Sequence, residues 1–129
     1  MRTDRAPFVR FPDGSEPPLS QGVRNGPLVF TSGQGPLDPA TGEMPADFAA
    51  QVRQVLANVE AVVEAAGGDR RSITRCTCYL ADPAHFAEFN RVYREFFADC
   101  APLPARTTVL ARLVREGVLV EVDAVAVVG

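Results

Sequence analysis

The chain has 129 residues, 47% of them apolar, with 13 basic and 16 acidic side chains for a net charge of −3. That is one ordinary domain, residues 1–129, with enough apolar material for one core, and its acidic balance argues against a nucleic-acid partner. No apolar run approaches the ~18 residues of a membrane span and the opening residues lack an apolar signal region, so a soluble cytoplasmic protein without a membrane partner is expected.

Residues 1–20 are rich in Pro, Gly and charge. Phe8 to Phe11 reads as a short edge strand and Pro12-Asp13-Gly14-Ser15 as a turn. Leu28 to Ser32 is a strand candidate that stops at Gly33, and Asp38-Pro39-Ala40-Thr41-Gly42 is a turn or loop. From Ala46 to Ala66 the period changes. Phe48, Val52, Val55, Leu56, Val59, Val62, Val63 and Ala66 recur at spacings of three and four, one stripe of an amphipathic helix. Gln51, Arg53, Asn58, Glu60 and Glu64 fall mostly off that stripe, and Gly67-Gly68 supplies the stop. Ile73 to Leu80 is β-like. Asp82-Pro83 starts a second helix, as an N-cap followed by proline at the first helical position. Phe86, Phe89, Tyr93, Phe96 and Phe97 form its core stripe, and it must end before Pro102. His85, the sole histidine, lies off the stripe and is expected to be exposed. Two further strands follow. The order fits an α+β or α/β sandwich with both helices on one face of the sheet.

The strand faces carry more information. On the last strand Val118, Val120, Val122, Ala124, Ala126 and Val128 share one side, against Leu119, Glu121, Asp123, Val125 and Val127. On the strand before it, Thr107, Val109, Ala111 and Leu113 oppose Arg106, Thr108, Leu110 and Arg112. On the middle strand, Thr74, Cys76, Cys78 and Leu80 oppose Ile73, Arg75, Thr77 and Tyr79. Each strand thus has a clean apolar face for the helices and a second, mixed face. Two helices cannot cover both sides of a sheet, and the mixed faces are most simply buried against other copies of the chain. The three cysteines, Cys76, Cys78 and Cys100, lack metal-ligand spacing. The first two are expected to act as small core hydrophobes.

Two charged residues stand out in the last two strands. Arg106 opens one apolar segment, and an arginine is a fixed fork that grips carboxylates. Glu121 sits inside the next, where a carboxylate is costly unless it is paired or has a task. Together they suggest a site for a small acid. The alternatives are structural: Arg106 as a salt-bridge residue between subunits, and Glu121 paired with Arg75 or Arg112.

The chain resembles the RidA/YjgF/UK114 family. The resemblance runs through Pro18-Leu19-Ser20-Gln21-Gly22-Val23, Leu28-Val29-Phe30-Thr31-Ser32-Gly33-Gln34 and Pro36-Leu37-Asp38-Pro39-Ala40-Thr41-Gly42-Glu43. It continues through Gln51, Asn58 and Phe89-Asn90-Arg91-Val92-Tyr93, and closes with Pro104-Ala105-Arg106 and Val120-Glu121-Val122-Asp123-Ala124-Val125-Ala126. It implies a chorismate-mutase-like α+β fold and a homotrimer whose sheets line a central β-barrel, with clefts between subunits. It further implies hydrolysis of 2-imino or enamine acids to 2-oxo acids and ammonia, with no cofactor and no metal. By the same resemblance Arg106 binds the substrate carboxylate and Glu121 positions the attacking water. Ser32, Gly33 and Gln34 line the pocket, and Asn90 lies near the cleft. Many relatives carry Tyr where this chain has Leu19, which removes a hydroxyl that contacts ligand in the family. Thr108 stands where relatives often have Ser, Cys or Ala. Some members have been labelled endoribonucleases, but the acidic balance and lone histidine argue against that activity here. Two alternatives stay open: a non-catalytic small-carboxylate-binding protein, and a pathway-specific deaminase of the aminomuconate type.

Overall fold

A computed structural model describes residues 1–3 and 12–129 of the chain. The edge strand expected at Phe8 to Phe11 lies outside the described residues. Five strands form one sheet: β1 Gly22–Asn25, β2 Leu28–Thr31, β3 Ile73–Leu80, β4 Ala105–Leu110 and β5 Val120–Val127. Their order is β1-β2-β5-β3-β4. The β3–β4 pair is parallel and the other pairs are antiparallel. Two helices, α1 Phe48–Ala65 and α2 Phe86–Phe96, pack on one face of it. No helix among the described residues is long and apolar enough to cross a membrane.

Helix α1 starts at Asp47, whose carboxylate accepts from the Ala50 N–H at 2.9 Å, which satisfies one of the orphan donors of the first turn. It stops at Gly67, which has φ +97°. There the Gly67 N–H donates to the Glu64 carbonyl and the Gly68 N–H to the Val63 carbonyl, both at 3.0 Å. This is the left-handed termination that glycine permits without Cβ strain. Ahead of α2, the Asp82 carboxylate accepts from the Ala84 N–H at 2.8 Å and a single 3₁₀ turn, Pro83–His85, leads into the helix.

The core joins Val52, Val55, Leu56, Val59 and Val63 of α1 and Phe89, Val92 and Tyr93 of α2 to Val29, Cys76, Cys78, Val120, Val122, Ala124 and Ala126 of the sheet. Each fully buried valine, leucine or phenylalanine is worth roughly 1.5–3 kcal/mol in transfer from water. Two buried polar residues of α1 were assigned off its apolar stripe. Gln51 donates to the Pro45 and Gly117 carbonyls at 2.9 and 3.0 Å and accepts from the Leu119 N–H at 2.9 Å. Asn58 donates to the Gly35 and Leu37 carbonyls, both at 2.9 Å, and accepts from Gln54 at 2.9 Å. Both side chains satisfy loop backbone that would otherwise be buried without partners.

The strand β1 was not expected from the sequence. The expectation for β4 also needs correction on two points. The strand ends at Leu110, so Ala111, Arg112 and Leu113 lie in the following loop. Its helix-facing side is the one that carries Arg106 and Thr108. The parallel register sets Cys76 beside Arg106 and Cys78 beside Thr108, and both cysteines are fully buried under the helices. His85 is half-buried rather than exposed: its ring stacks on Phe48 with centroids 4.1 Å apart. Phe86, placed in the core stripe by its spacing, is 46% exposed.

The other face of the sheet carries no helix among the described residues. There Phe30 is 45% and Val127 48% exposed, alongside Val23, Leu28 and Val109. Interspersed are Arg75, which donates to the Thr107 hydroxyl at 2.8 Å, and Tyr79, which donates to Asp123 at 3.0 Å. The mixed face expected from the pattern is present and left uncovered by the described residues of the single chain.

Candidate active site

The residues picked out by sequence fall into two groups on opposite faces of the sheet. The first is built on β4 and α2. The Arg106 guanidinium lies 4.9 Å from the ring centroid of Tyr93, 5.4 Å from that of Phe89 and 5.8 Å from that of Phe86. Aromatic faces of this kind stabilise a guanidinium without neutralising it. One fork nitrogen donates to the Asn90 side-chain oxygen at 2.8 Å. That is its only hydrogen bond among the described residues, and no carboxylate among them lies within ion-pair reach of Arg106. The fork is therefore oriented by Asn90 and half-buried, with donors left over for an anion. A cavity of about 280 Å³ opens beside it, lined by Asn90, Tyr93, Arg94, Leu103, Pro104 and Arg106.

The second group is built on β5 and the segment after β2. Strand β2 pairs with β5 from Leu28 to Phe30. The Thr31 hydroxyl then accepts from the Ala124 N–H at 3.0 Å. Pairing resumes at Gln34, whose N–H donates to the Val122 carbonyl at 2.8 Å and whose carbonyl accepts from the Val122 N–H at 3.2 Å. Between these points Ser32 and Gly33 leave the ladder, a local bulge that re-aims the chain. Gly33 is thereby set against Glu121: a Cβ at this position would overlap the Glu121 carboxylate oxygen. The close approach explains why glycine stands here, since its φ is not left-handed.

Glu121 is half-buried, and its carboxyl is pushed above the usual range, first by burial and then by the neighbouring charge of Asp123. It makes no ion pair with Arg75 or Arg112 among the described residues. Asp123 accepts from Tyr79 instead. A half-buried carboxylate with a raised pKa is placed to take up and return a proton. Ser32 faces away from this role. Its hydroxyl donates to the Ser20 carbonyl at 2.7 Å and its N–H to the Gln21 carbonyl at 2.8 Å. That ties down the segment carrying Leu19, which is 45% exposed.

The structure thus brings Asn90 to Arg106 and Gly33 to Glu121, sets Gln34 opposite Val122 on the helix-facing row rather than the Glu121 row, and leaves the two groups apart. Strand β3 lies between β4 and β5, and Glu121 pairs across it with Tyr79 rather than with the Arg106 row. Residues of the same sheet that are paired with Cys76 point to one face and those paired with Tyr79 to the other. Among the described residues, no group of three or more His, Cys, Asp or Glu is arranged to hold a metal ion. Burial raises the Cys76 thiol to about 11 and the Cys78 thiol to about 12, which leaves both protonated and unreactive.

Thr108, singled out by sequence two residues after Arg106, lies on the same helix-facing row, registered beside the buried Cys78.

Residues 13–128 match the family described as Endoribonuclease L-PSP, which takes in the RidA and YjgF proteins. The chain belongs to the RidA/YjgF family. It is 45% identical to the 2-iminobutanoate/2-iminopropanoate deaminase of Escherichia coli (strain K12) over 111 residues, 85% of this chain and 87% of that protein. The crystal structure of the Escherichia coli YjgF gene product superimposes with a TM-score of 0.82 over the same shares of the two chains. Escherichia coli TdcF with bound serine is 40% identical, with a TM-score of 0.86 over 97% of this chain and 94% of that one. These likenesses confirm the RidA-like α+β fold.

Proposed function

We propose that this RidA-family chain hydrolyses 2-imino or enamine acids to 2-oxo acids and ammonia. The cleft would lie between copies of a homotrimer. The observation that carries this is the Arg106 fork: it is oriented by Asn90, cushioned by three aromatic rings and unmatched by an acid of its own. The relative crystallised with serine, a small molecule bearing a carboxylate, is consistent with such an anchor. Because the Glu121 group lies on the opposite face, one chain cannot offer both groups to one small acid. A second copy whose uncovered face meets the open β4 edge of the first would supply Gly33 and Glu121 to the first copy's Arg106.

In this arrangement Arg106 holds the carboxylate in a bidentate grip. Glu121 accepts a proton from water as its oxygen adds to C2 of the C=N group. That proton is returned to nitrogen to give the carbinolamine; Glu121 then takes the hydroxyl proton and passes it to nitrogen as the C–N bond breaks, so that ammonia leaves and the 2-oxo acid remains. Orientation and one proton shuttle suffice.

The non-catalytic alternative rests on Leu19, which lacks the hydroxyl that relatives present to ligand. One experiment separates the readings. An amino-acid oxidase generates the imine, and its decay is followed with wild type, Arg106→Lys and Glu121→Ala. Both variants should lose most turnover, and only Arg106→Lys should also lose affinity for pyruvate. Mixed oligomers refolded from the two inactive variants should recover activity, because some clefts then hold both native groups. Wild type with no effect on imine decay refutes catalysis. No recovery on mixing, or a stable monomer by light scattering, refutes the shared cleft.

A further inference from the structure

Arg106 lines one concavity, and its ring neighbour Phe86 lines a second. The first, beside Asn90, is the polar one described above. The second has a volume of about 240 Å³ and is lined by Leu80, Pro83, Phe86, Thr108, Val109 and Leu110. Every lining side chain but Thr108 is apolar. Three of them are large hydrophobics left in the open: Phe86 at 46%, Val109 at 40% and Leu110 at 59% exposed. Apolar side chains gathered around a concavity beside an unneutralised cation ask for an amphipathic occupant.

We infer that this second concavity is the side-chain subsite of the Arg106 anchor, and that it selects acids with a branched or extended apolar side chain over those with a methyl group. This rests on the carboxylate anchor proposed above and adds the class of substrate. Continuity of the surface supports it. Phe86 is shared between the two features: its ring lies 5.8 Å from the Arg106 guanidinium and also walls the pocket. An acid gripped by its carboxylate at Arg106 extends its side chain toward Phe86 and the apolar pocket that Phe86 walls. Around Phe86 the wall is apolar. A polar side chain placed there would lose its hydration without gaining a partner.

The test uses binding, so that it stands apart from turnover. The probes are pyruvate and 4-methyl-2-oxopentanoate, titrated calorimetrically into wild type, Phe86→Ala and Leu110→Asn. Both positions are partly exposed, so the variants are expected to fold, as checked by circular dichroism and oligomer size. Wild type should favour 4-methyl-2-oxopentanoate by at least about tenfold, the discrimination typical of extra methylenes in an apolar pocket. Each variant should reduce that ratio severalfold. Equal affinities in wild type, or a ratio unmoved in both folded variants, overturns the subsite. Should a neighbouring copy fill the pocket instead, the ratio stays put and the variants dissociate on dilution, which also overturns it. Binding of neither acid refutes the anchor and the subsite together. Selective binding without imine hydrolysis upholds the subsite and refutes only the deaminase reading.

Discussion

Gly33→Ala gives the sharpest test of how Glu121 is held. The added methyl would overlap the Glu121 carboxylate oxygen and would lie 3.0 Å from Cδ and 3.3 Å from Cγ. The Gly33 backbone does not resist alanine, since its φ is not left-handed. The obstacle is the far end of a flexible, half-buried side chain, so the cheapest response is for the carboxylate to swing away. Leaving its rotamer costs about 0.5–1.5 kcal/mol, and stability should fall by no more than that. Catalysis should fall much further. A positioned proton-transfer group contributes roughly 10²–10⁴-fold, and a displaced one forfeits most of that. The expected result is turnover of an alanine-derived imine reduced about 100-fold or more, approaching Glu121→Ala, with pyruvate affinity within about threefold of wild type. Imine decay in the coupled oxidase assay, calorimetric pyruvate binding and a urea melt measure the three quantities. Near wild-type turnover in Gly33→Ala would refute the claim that the carboxylate must sit where the Ser32–Gly33 bulge leaves room for it.

Three further outcomes are expected. Glu121 must be ionised to take a proton, and burial and Asp123 both raise its pKa. The kcat/KM for imine hydrolysis should therefore fall with acid above the usual glutamate range, and Asp123→Asn, which removes a like charge, should move that acid limb to lower pH. Gln51→Ala would leave two carbonyls and one N–H without their side-chain partner, and should cost about 2–4 kcal/mol by urea denaturation with an unchanged m-value. Leu19→Tyr should shift imine preference from leucine- or methionine-derived toward serine-derived substrates, read as the ratio of kcat/KM values. An unchanged ratio would separate Leu19 from specificity.

Much of this fold was legible because period and punctuation agreed. The valine stripe and Gly67 bounded α1, and Asp82-Pro83 announced the approach to α2. Strand β1 escaped notice because Gly22-Val23-Arg24-Asn25 is short, and only Val23 in it is apolar. Gln51 and Asn58 were misplaced for a different reason. With Phe48, Val55 and Val62 they follow helical spacings of three and four, so their positions faced inward even though their chemistry suggested water. The face of β4 was reversed because alternation alone favours Thr107 and Val109 as the inner row. Parallel pairing with the buried cysteines of β3 decided otherwise, and the rings of α2 made an inward arginine tolerable. Residue type and resemblance mark Arg106, Asn90, Gly33 and Glu121 as candidates. Their division between two faces was not, because strand order is a property of the folded sheet.

The two buried amides of α1 have a dynamic consequence. Gln51 grips Gly117 and Leu119, just before β5, and Asn58 grips Gly35 and Leu37, just after Gln34. The segments flanking Glu121 are thus moored to a helix that never touches the reacting groups. Loops usually open in small, low-energy fluctuations, whereas these can detach only by unmaking buried side-chain bonds. The Leu119 amide, whose acceptor is Gln51 rather than a strand, should therefore exchange its hydrogen for deuterium as slowly as the core of β5. Its protection would report whether the floor beneath Glu121 moves independently of the whole domain.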